Sequence, residues 1–251
     1  CSLVGSEMCI RDRGIAYSPD GSRLASGGAD DVLRVWDTTS GELLFERVPD
    51  PGKPIYAVDY SPDGRWLISA GDQGTIKVWD PADGREVWTL SGDPSIRWEA
   101  TFSGDSSRLV AGHDSGQAVV WSFPGPGTTA DSGLETQPEQ VLQFQHNPQW
   151  VGKAGFSPNG NLLAVAGGGK TSVHDAHTGE LLVGLGHAGT TTAAFSPDGR
   201  LIATTGSDGL VRLMAANQEV LLALAQSRLT RSLTDEECRQ YLHLEACPAD
   251  S

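Results

Sequence analysis

Basic residues are scarce in this chain of 251 residues, which has 18 Lys and Arg against 32 Asp and Glu and a formal net charge of −14. The acidic residues are spread evenly, and the basic ones form no cluster. Because phosphate binding needs clustered cations that release counterions, this composition argues against a nucleic-acid partner. No apolar run approaches the roughly 20 residues of a membrane-spanning helix, so a membrane partner is not expected either.

Cysteine is also rare, and catalytic patterns are missing. Cys1, Cys9, Cys238 and Cys247 form no Cys-x-x-Cys pair and have no spacing typical of a metal site. Such use of cysteine is typical of a reducing compartment, so we expect a cytoplasmic protein without a metal or another cofactor. No Ser or Cys lies in a Gly-x-Ser-x-Gly pattern and the six histidines are scattered, so we expect no catalysis by this chain.

The phrase Ser-Pro-Asp-Gly, or a close variant of it, recurs along the sequence. The five copies begin at Ser18, Ser61, Ser103, Ser157 and Ser196, at steps of 43, 42, 54 and 39 residues. Proline presets φ near −65° and glycine accepts the positive φ that closes a turn, so each copy predicts a chain reversal. A period near 40 residues predicts a repeat architecture.

Each unit of this repeat is predicted to contain four antiparallel strands. In the second unit, β-rich runs cover 55–60, 65–69, 75–79 and 85–90, and Gly- and Asp-rich turns separate them. Such a unit is one blade of a β-propeller, so we predict an all-β chain of five visible blades. We expect the ring to be incomplete and a short C-terminal helix to follow. The predicted blades cover 14–50, 51–93, 94–147, 148–186 and 187–228.

From about residue 14 to residue 220, the chain resembles the WD-repeat family of β-propellers. The signature dipeptide is intact at Trp36-Asp37 and Trp79-Asp80, and Gly186-His187 matches the family's Gly-His pair. The resemblance implies a buried network of His, Ser or Thr, Asp and Trp in each blade, although no unit here has all four. The residues assigned to this structural repeat are Trp36, Asp37, Trp79, Asp80, Trp121, Ser26, Asp30, His187, Thr205 and Asp208.

Three units depart from the family pattern. Ser122 replaces the aspartate in the third unit, His174 takes the tryptophan position in the fourth, and Met214 takes it in the fifth. Because a complete network stiffens a blade, we expect softer blades in the third and fourth units.

Segments outside the repeat lie at both ends. Residues 1–13 look like a translated sequencing-adapter remnant, because they are out of register with the repeats and adjoin the first strand without a turn. We therefore expect the chain to be the C-terminal part of a longer protein. In the tail, 229–251, Thr234 and Glu237 form a capping box that predicts a helix from about 235 to 243. The tail is similar to the end of bacterial signalling proteins with WD repeats, some of which carry an upstream kinase or signalling ATPase.

Aromatic residues near the start of three units are candidates for partner binding. Tyr56 and Trp98 lie five residues before their repeat serine, and Trp150 lies seven before its own. The resemblance implies that these positions lie near the mouth of the central channel, where aromatic side chains would anchor a peptide. The alternative is that they fill gaps between blades. Arg97 and Lys53 lie beside them and would form the rim.

Two further motifs are weaker evidence for a function. Residues 164–171 resemble the end of a phosphate-binding P-loop, but Ala164 replaces the first glycine and the next element is predicted to be a strand instead of a helix. His174 and His177 are three residues apart, but the first takes the tryptophan position and no third ligand is suggested by the spacing.

These observations predict a non-catalytic protein-interaction scaffold, the WD-repeat module of a larger bacterial signalling or regulatory protein. One alternative is a ligand-binding or hydrolytic propeller of another family, in which Ser-Pro-Asp-Gly turns also occur. Another is the regulatory domain of an enzyme, a kinase or a signalling ATPase, whose catalytic domain lies upstream. The Trp-Asp dipeptides favour the interaction scaffold over another propeller family.

Overall fold

The described part of the chain is built from antiparallel strands. The computed structural model describes residues 12–72, 74–91, 98–125, 136–147 and 149–216, together with Val220. Within these ranges, 18 strands form four sheets, which confirms the predicted all-β class. No helix in the same ranges is long and apolar enough to cross a membrane. The helix predicted at 235–243 lies outside the described residues.

The first three sheets each contain four strands in the order of the chain. Sheet 1 contains β1 (Asp12–Tyr17), β2 (Arg23–Gly28), β3 (Leu33–Asp37) and β4 (Leu43–Arg47). Sheet 2 contains β5 (Ile55–Tyr60), β6 (Leu67–Gly71), β7 (Thr75–Trp79) and β8 (Glu86–Ser91). Sheet 3 contains β9 (Trp98–Phe102), β10 (Arg108–His113), β11 (Gln117–Ser122) and β12 (Glu139–Gln145). The four strands predicted for the second unit are therefore confirmed.

Sheet 4 is larger, because one long strand connects two units. It contains β13 (Lys153–Phe156), β14 (Leu162–Gly167), β15 (Gly169–Asp175), β16 (Leu181–Phe195), β17 (Leu201–Gly206) and β18 (Val211–Ala215). The first part of β16 pairs with β15 and its last part with β17. The boundary predicted at residue 186 thus falls inside a continuous strand, where the sequence has glycines but no Ser-Pro-Asp-Gly turn.

The five repeat turns share one set of hydrogen bonds. In the first turn, the Ser18 hydroxyl donates to Asp20 Oδ1 at 2.6 Å and accepts the Arg23 N–H at 2.9 Å. The equivalent serines of the other four turns make the same two contacts. The glycines that close the turns have positive φ, as predicted: Gly21, Gly64, Gly160 and Gly199.

Neighbouring sheets pack face to face through apolar clusters. Trp79 of sheet 2 packs with Leu33 and Val35 of sheet 1, and Trp121 of sheet 3 packs with Ile76 and Val78 of sheet 2. The signature position therefore faces the preceding sheet.

A β-bulge marks the signature position in each sheet. Between the third and fourth strands of each unit, the register shifts at Trp36, Trp79, Trp121 and His174. His174 is therefore the structural counterpart of the tryptophans, as the sequence register indicates. Since a bulge increases local twist, each of these units twists at the same point.

The outer faces of the first and last described units are apolar and exposed. Ile15 and Tyr17 of sheet 1 are 67% and 63% exposed, and Val211 and Leu213 of β18 are 68% and 69% exposed. The ring is not closed in the described part of the chain.

Candidate partner-binding site

A cavity of about 360 Å³ lies where the first strands of the four sheets meet. Strands β1, β5, β9 and β13 border it, and each is an edge strand of its sheet. Strand β1 approaches β5 closely because Gly14 has no side chain: a Cβ there would lie 2.9 Å from the Val58 nitrogen. The side chains of interest in its wall are Arg13, Tyr56, Asp59, Glu99, Thr101 and Lys153.

Asp59 is a half-buried carboxylate in this wall. Its Oδ2 accepts the Thr101 hydroxyl at 2.8 Å and the Phe102 N–H at 3.0 Å, which ties β5 to β9. Burial raises the pKa of Asp59, although these two hydrogen bonds and the charge of Lys153 act in the opposite direction. The carboxylate is therefore incompletely compensated for its loss of solvent.

Glu99 is a second carboxylate in the same wall. Partial burial raises the pKa of its side chain, although the residue keeps an exposed surface, and the charge of Lys153 opposes this shift. Among the described residues, neither Glu99 nor Lys153 forms an ion pair within 4.0 Å or a side-chain hydrogen bond. The cavity thus holds charged groups that are close enough to influence one another but are not paired.

Tyr56 connects the cavity to the loop after β6. Its hydroxyl donates to Asp72 Oδ2 at 3.1 Å, and the Arg13 guanidinium lies over its ring, 4.4 Å from the ring centroid. A cation over an aromatic face is electrostatically favourable. The ring is half-buried. Of the five predicted partner-binding residues, Tyr56 is the only one that lines the cavity in the described part of the chain.

The other four predicted partner-binding residues have different surroundings. Trp98 is the first residue of β9, but its side chain lies outside the description, as does all of Arg97. Trp150 is half-buried and its ring packs over Gly152, where a Cβ would meet Trp150 Cζ3 at 2.2 Å. Lys53 is exposed in the turn before β5. Their role in partner binding stays a prediction.

The signature tryptophan of the second unit is hydrogen-bonded within its own sheet. Trp79 Nε1 donates to the buried Ser69 hydroxyl at 3.0 Å. In the first unit, the Ser26 hydroxyl is buried without a hydrogen-bond partner among the described residues, and Trp36 is half-buried. Asp30 instead forms an ion pair with Arg34 at 2.6 Å. Ser26 and Asp30 thus have separate surroundings in the described structure, and the role of Ser26, Asp30 and Trp36 in the structural repeat stays a prediction.

The fifth unit repeats the ion pair of the first. Asp208 Oδ2 lies 2.7 Å from Arg212 Nη1, and Arg212 stands two residues before Met214, as Arg34 stands before Trp36. Thr205 is half-buried in β17. The backbone of His187 belongs to β16, but its side chain lies outside the description.

The aspartate of the signature dipeptide caps the turn after the third strand. Asp37 Oδ1 accepts the N–H groups of Thr39 and Ser40 at 2.9 Å and 2.8 Å. These two hydrogen bonds hold the pKa of Asp37 below its ordinary value. Asp80 caps the next turn by accepting the Ala82 N–H at 2.9 Å. The residue therefore has a local role that its place in the family motif did not indicate.

Trp121 keeps its core role in the third unit, where it is 4% exposed.

The fourth unit replaces the tryptophan by a histidine cluster. The Ser172 hydroxyl lies 2.8 Å from His146 Nδ1 and 2.7 Å from His174 Nε2, and His174 Nδ1 lies 3.0 Å from the Gly179 carbonyl oxygen. Burial and the neighbouring His174 lower the pKa of His146 to about 4. Burial also lowers the pKa of His174. The cluster joins the end of β12 to β15.

The two weaker motifs have ordinary places in sheet 4. Residues 162–167 and 169–175 form β14 and β15, so the strand predicted after the P-loop-like glycines is present. Lys170 is exposed in β15. His174 is buried, whereas His177 is exposed in the following turn, so the two rings do not share an environment.

Repeated four-stranded units that pack side by side around a cavity define an interaction module of the propeller type. The family model "WD domain, G-beta repeat" matches residues 4–37, 46–80 and 179–213. Matches at three positions support a WD-repeat family for this chain. No curated protein matches it. WD-repeat domains generally mediate protein–protein interactions and are generally non-catalytic.

The part of the chain between the second and third matches contains two of the units that depart from the family pattern. The third unit, with Trp121-Ser122, and the fourth unit up to His174-Asp175 lie between the second and third matches. The first match begins at residue 4, inside the segment 1–13, and Asp12 and Arg13 belong to β1. The adapter origin of that segment stays a prediction.

Proposed function

We propose that this chain is a non-catalytic protein-interaction scaffold, the WD-repeat module of a larger bacterial signalling or regulatory protein that acts in the cytoplasm. A segment of a partner polypeptide binds at the mouth of the channel, where the first strands of the sheets begin. In the sequence, the predicted rim residues Lys53, Tyr56, Arg97, Trp98 and Trp150 stand at or shortly before the residues with which those strands begin.

The cavity bordered by β1, β5, β9 and β13 is the observation that carries this proposal. Its volume of about 360 Å³ lies at the lower end of the range for small-ligand pockets, which suits one side chain and its backbone. The half-buried ring of Tyr56 offers a large contact area at a low entropy cost. The matches to the WD-repeat family model support a polypeptide as the ligand, because such domains generally mediate protein–protein interactions.

A peptide selection tests this function. The immobilised chain is presented with a random peptide display library, and the selected peptides are measured in solution by fluorescence anisotropy. Replacing Tyr56 by Ala is expected to raise Kd at least about tenfold, which is typical of an anchoring aromatic side chain. Tyr17→Ala is the matched control, because Tyr17 is 63% exposed on the outer face of sheet 1.

Thermal melting separates binding from folding. Tyr56→Phe keeps the ring and loses the hydrogen bond to Asp72, so it is expected to bind as the wild type does. Trp150→Ala is expected to lower the melting temperature as well as the affinity, since the Trp150 ring fills the space over Gly152. Selected peptides that bind Tyr56→Ala and Tyr17→Ala with equal affinity would contradict a site at the channel mouth.

A further inference from the structure

The first and the fifth unit each present an apolar face of a kind that is covered in the other units. We call the face that a unit turns toward the preceding unit its front face, and the opposite face its rear face. Four apolar clusters join the rear face of one unit to the front face of the next, from the first unit to the fifth. In the described part of the chain, the front face of the first unit and the rear face of the fifth have no such neighbour.

The rear face of the fifth unit has the apolar residues of a covered face. Val35, Val78 and Val120 each stand 17 residues after their repeat serine, and each is 0% exposed. Leu213 has the same position in the fifth unit, yet it is 69% exposed, and Val211 on the same strand is 68% exposed. The face is therefore built for a contact that the described structure does not supply.

The front face of the first unit is built in the same way. Tyr60 and Phe102 directly precede their repeat serines and are 5% and 7% exposed, whereas Tyr17, at the same position, is 63% exposed. The signature residue Trp36 is half-buried, although Trp79 is 3% exposed. Terminal units of repeat arrays normally carry a polar outer face, so two apolar faces indicate a binding surface.

A buried hydroxyl marks the same difference between the first two units. Trp79 packs against sheet 1, and its Nε1 donates to the buried Ser69 hydroxyl at 3.0 Å. Ser26 and Trp36 hold the positions of Ser69 and Trp79 in the first unit. The Ser26 hydroxyl is buried without a hydrogen-bond partner among the described residues. A rear face placed over Trp36 would cover it as sheet 1 covers Trp79.

The contact between units also has a polar part. The Arg65 side chain of the second unit donates to the Pro124 carbonyl of the third at 3.3 Å, and Arg108 of the third donates to the Ala176 carbonyl of the fourth at 3.1 Å. Both carbonyls follow the third strand of their unit. Arg200 has the position of Arg65 in the fifth unit and is exposed, so the rear face of that unit also carries the donor.

We infer that this chain binds a second copy of itself, with the rear face of the fifth unit of one copy on the front face of the first unit of the other. The four contacts within the chain show what covers a front face: the rear face of a like unit. Each molecule exposes one face of each kind. Because two different faces meet, the contact is heterologous and generates a ring or an open chain of copies.

This contact is separate from the proposed peptide site and goes beyond it. Tyr17, Val211 and Leu213 are not among the residues that line the cavity. The association of copies and the binding of a peptide can therefore be measured independently on the same chain.

The test blocks one face at a time and follows association by sedimentation velocity of the complete chain. Leu213→Glu blocks the rear face and Tyr17→Glu the front face. Each puts a charge into an apolar contact, so each alone is expected to raise the dissociation constant of self-association at least about tenfold. An equimolar mixture is expected to form a one-to-one complex, because each variant keeps the face that the other has lost. This complex does not grow, since both of its remaining faces are blocked.

Two controls accompany these variants. Val141→Glu adds the same charge at an apolar residue of β12 that is 52% exposed, and it is expected to leave self-association within about twofold. Urea unfolding checks that each variant is folded. If Tyr17→Glu or Leu213→Glu does not fold, Ile15→Glu or Val211→Glu replaces it, because these residues are equally exposed on the same faces.

Every other outcome overturns the inference. A wild type that stays monomeric at all concentrations would show that another occupant covers the two faces. Association of Leu213→Glu alone would indicate a front-to-front contact, and association of Tyr17→Glu alone a rear-to-rear contact. A mixture that stays monomeric would contradict the pairing of the two faces, and an equal loss in Val141→Glu would indicate unspecific apolar association. None of these results bears on peptides that depend on Tyr56.

Discussion

Acidification is expected to weaken the contact between sheets 3 and 4, and the histidine cluster gives the reason. The Gly179 carbonyl can only accept, so His174 Nδ1 carries a proton and its Nε2 accepts the Ser172 O–H. The Ser172 oxygen then accepts from His146 Nδ1–H. With both rings neutral, each hydrogen bond in this series has a single direction. His146 Nε2 is then a buried acceptor without a hydrogen-bond partner among the described residues. A second proton on His146 would place a charge on a ring that burial has withdrawn from solvent, and this burial is the largest cause of its lowered pKa.

The size of the effect follows from the two pKa values. A histidine in the unfolded chain titrates near 6.5, and the pKa of His146 in the folded chain is about 4. The unfolded chain therefore binds the proton first, so stability is complete above pH 6.5 and falls as the pH drops toward 4. The full difference corresponds to about 3 kcal/mol. Because the ring is only partly buried, solvent screening reduces this, and we expect about 2 kcal/mol.

Urea unfolding followed by tryptophan fluorescence measures this loss at about pH 7.5 and about pH 4.5. The wild type is compared with His146→Gln, whose amide can donate to Ser172 but does not titrate, and with His177→Gln as the control on an exposed histidine. Asp59 and Glu99, whose pKa values are raised, change stability in the opposite direction, but equally in all three proteins. The wild type and His177→Gln should each lose about 2 kcal/mol more than His146→Gln. Equal losses in all three proteins would refute the assigned hydrogen-bond directions.

Three further predictions concern the packing of the blades and their exposed outer faces. Gly112→Ala would place a Cβ 2.4 Å from Val151 Cγ1, so it is expected to lower the free energy of unfolding in urea by about 2 kcal/mol. Gly155→Ala is the control, because its Cβ would have no atom within 4 Å and should leave the stability unchanged. Equal stabilities of the two variants would contradict the close approach at Gly112. Ser106 has φ of 62° and its hydroxyl accepts the Asp63 N–H of sheet 2 at 2.9 Å, so Ser106→Ala keeps the strain and loses the bond. Ser106→Gly loses the same hydrogen bond but relieves the strain. Ser106→Ala should therefore be about 1 kcal/mol less stable than Ser106→Gly, and the reverse order would count against this explanation. The exposed apolar faces around Tyr17 and Leu213 predict self-association that Leu213→Gln weakens; a single monomeric species at all concentrations in sedimentation velocity would be the contrary result.

The turns and strands were predictable because their causes are local. Ser18, Asp20 and Gly21 define a reversal within a few residues, and the β-rich runs of the second unit mark its strands. The continuous strand β16 was not predicted, because its glycines resemble a break between units.

The candidate site depends on residues that are far apart in the sequence. Tyr56 was found from its position before a repeat serine, which is a local signal. Asp59, Glu99 and Lys153 meet only because the first strands of three sheets come together, and each is an ordinary charged residue within its own unit. The partnership of His146 with Ser172 has the same origin, since it joins two sheets.

Hydrogen–deuterium exchange of the complete chain, with and without a selected peptide, tests the central claim most directly. The first strands β5 and β9 are edge strands, so half of their N–H groups have no partner within the sheet and remain open to exchange. If a partner segment binds at the channel, the peptide slows exchange in 55–60 and 98–102 and leaves the outer strands β4, β8 and β12 unchanged. Protection confined to those outer strands would contradict it.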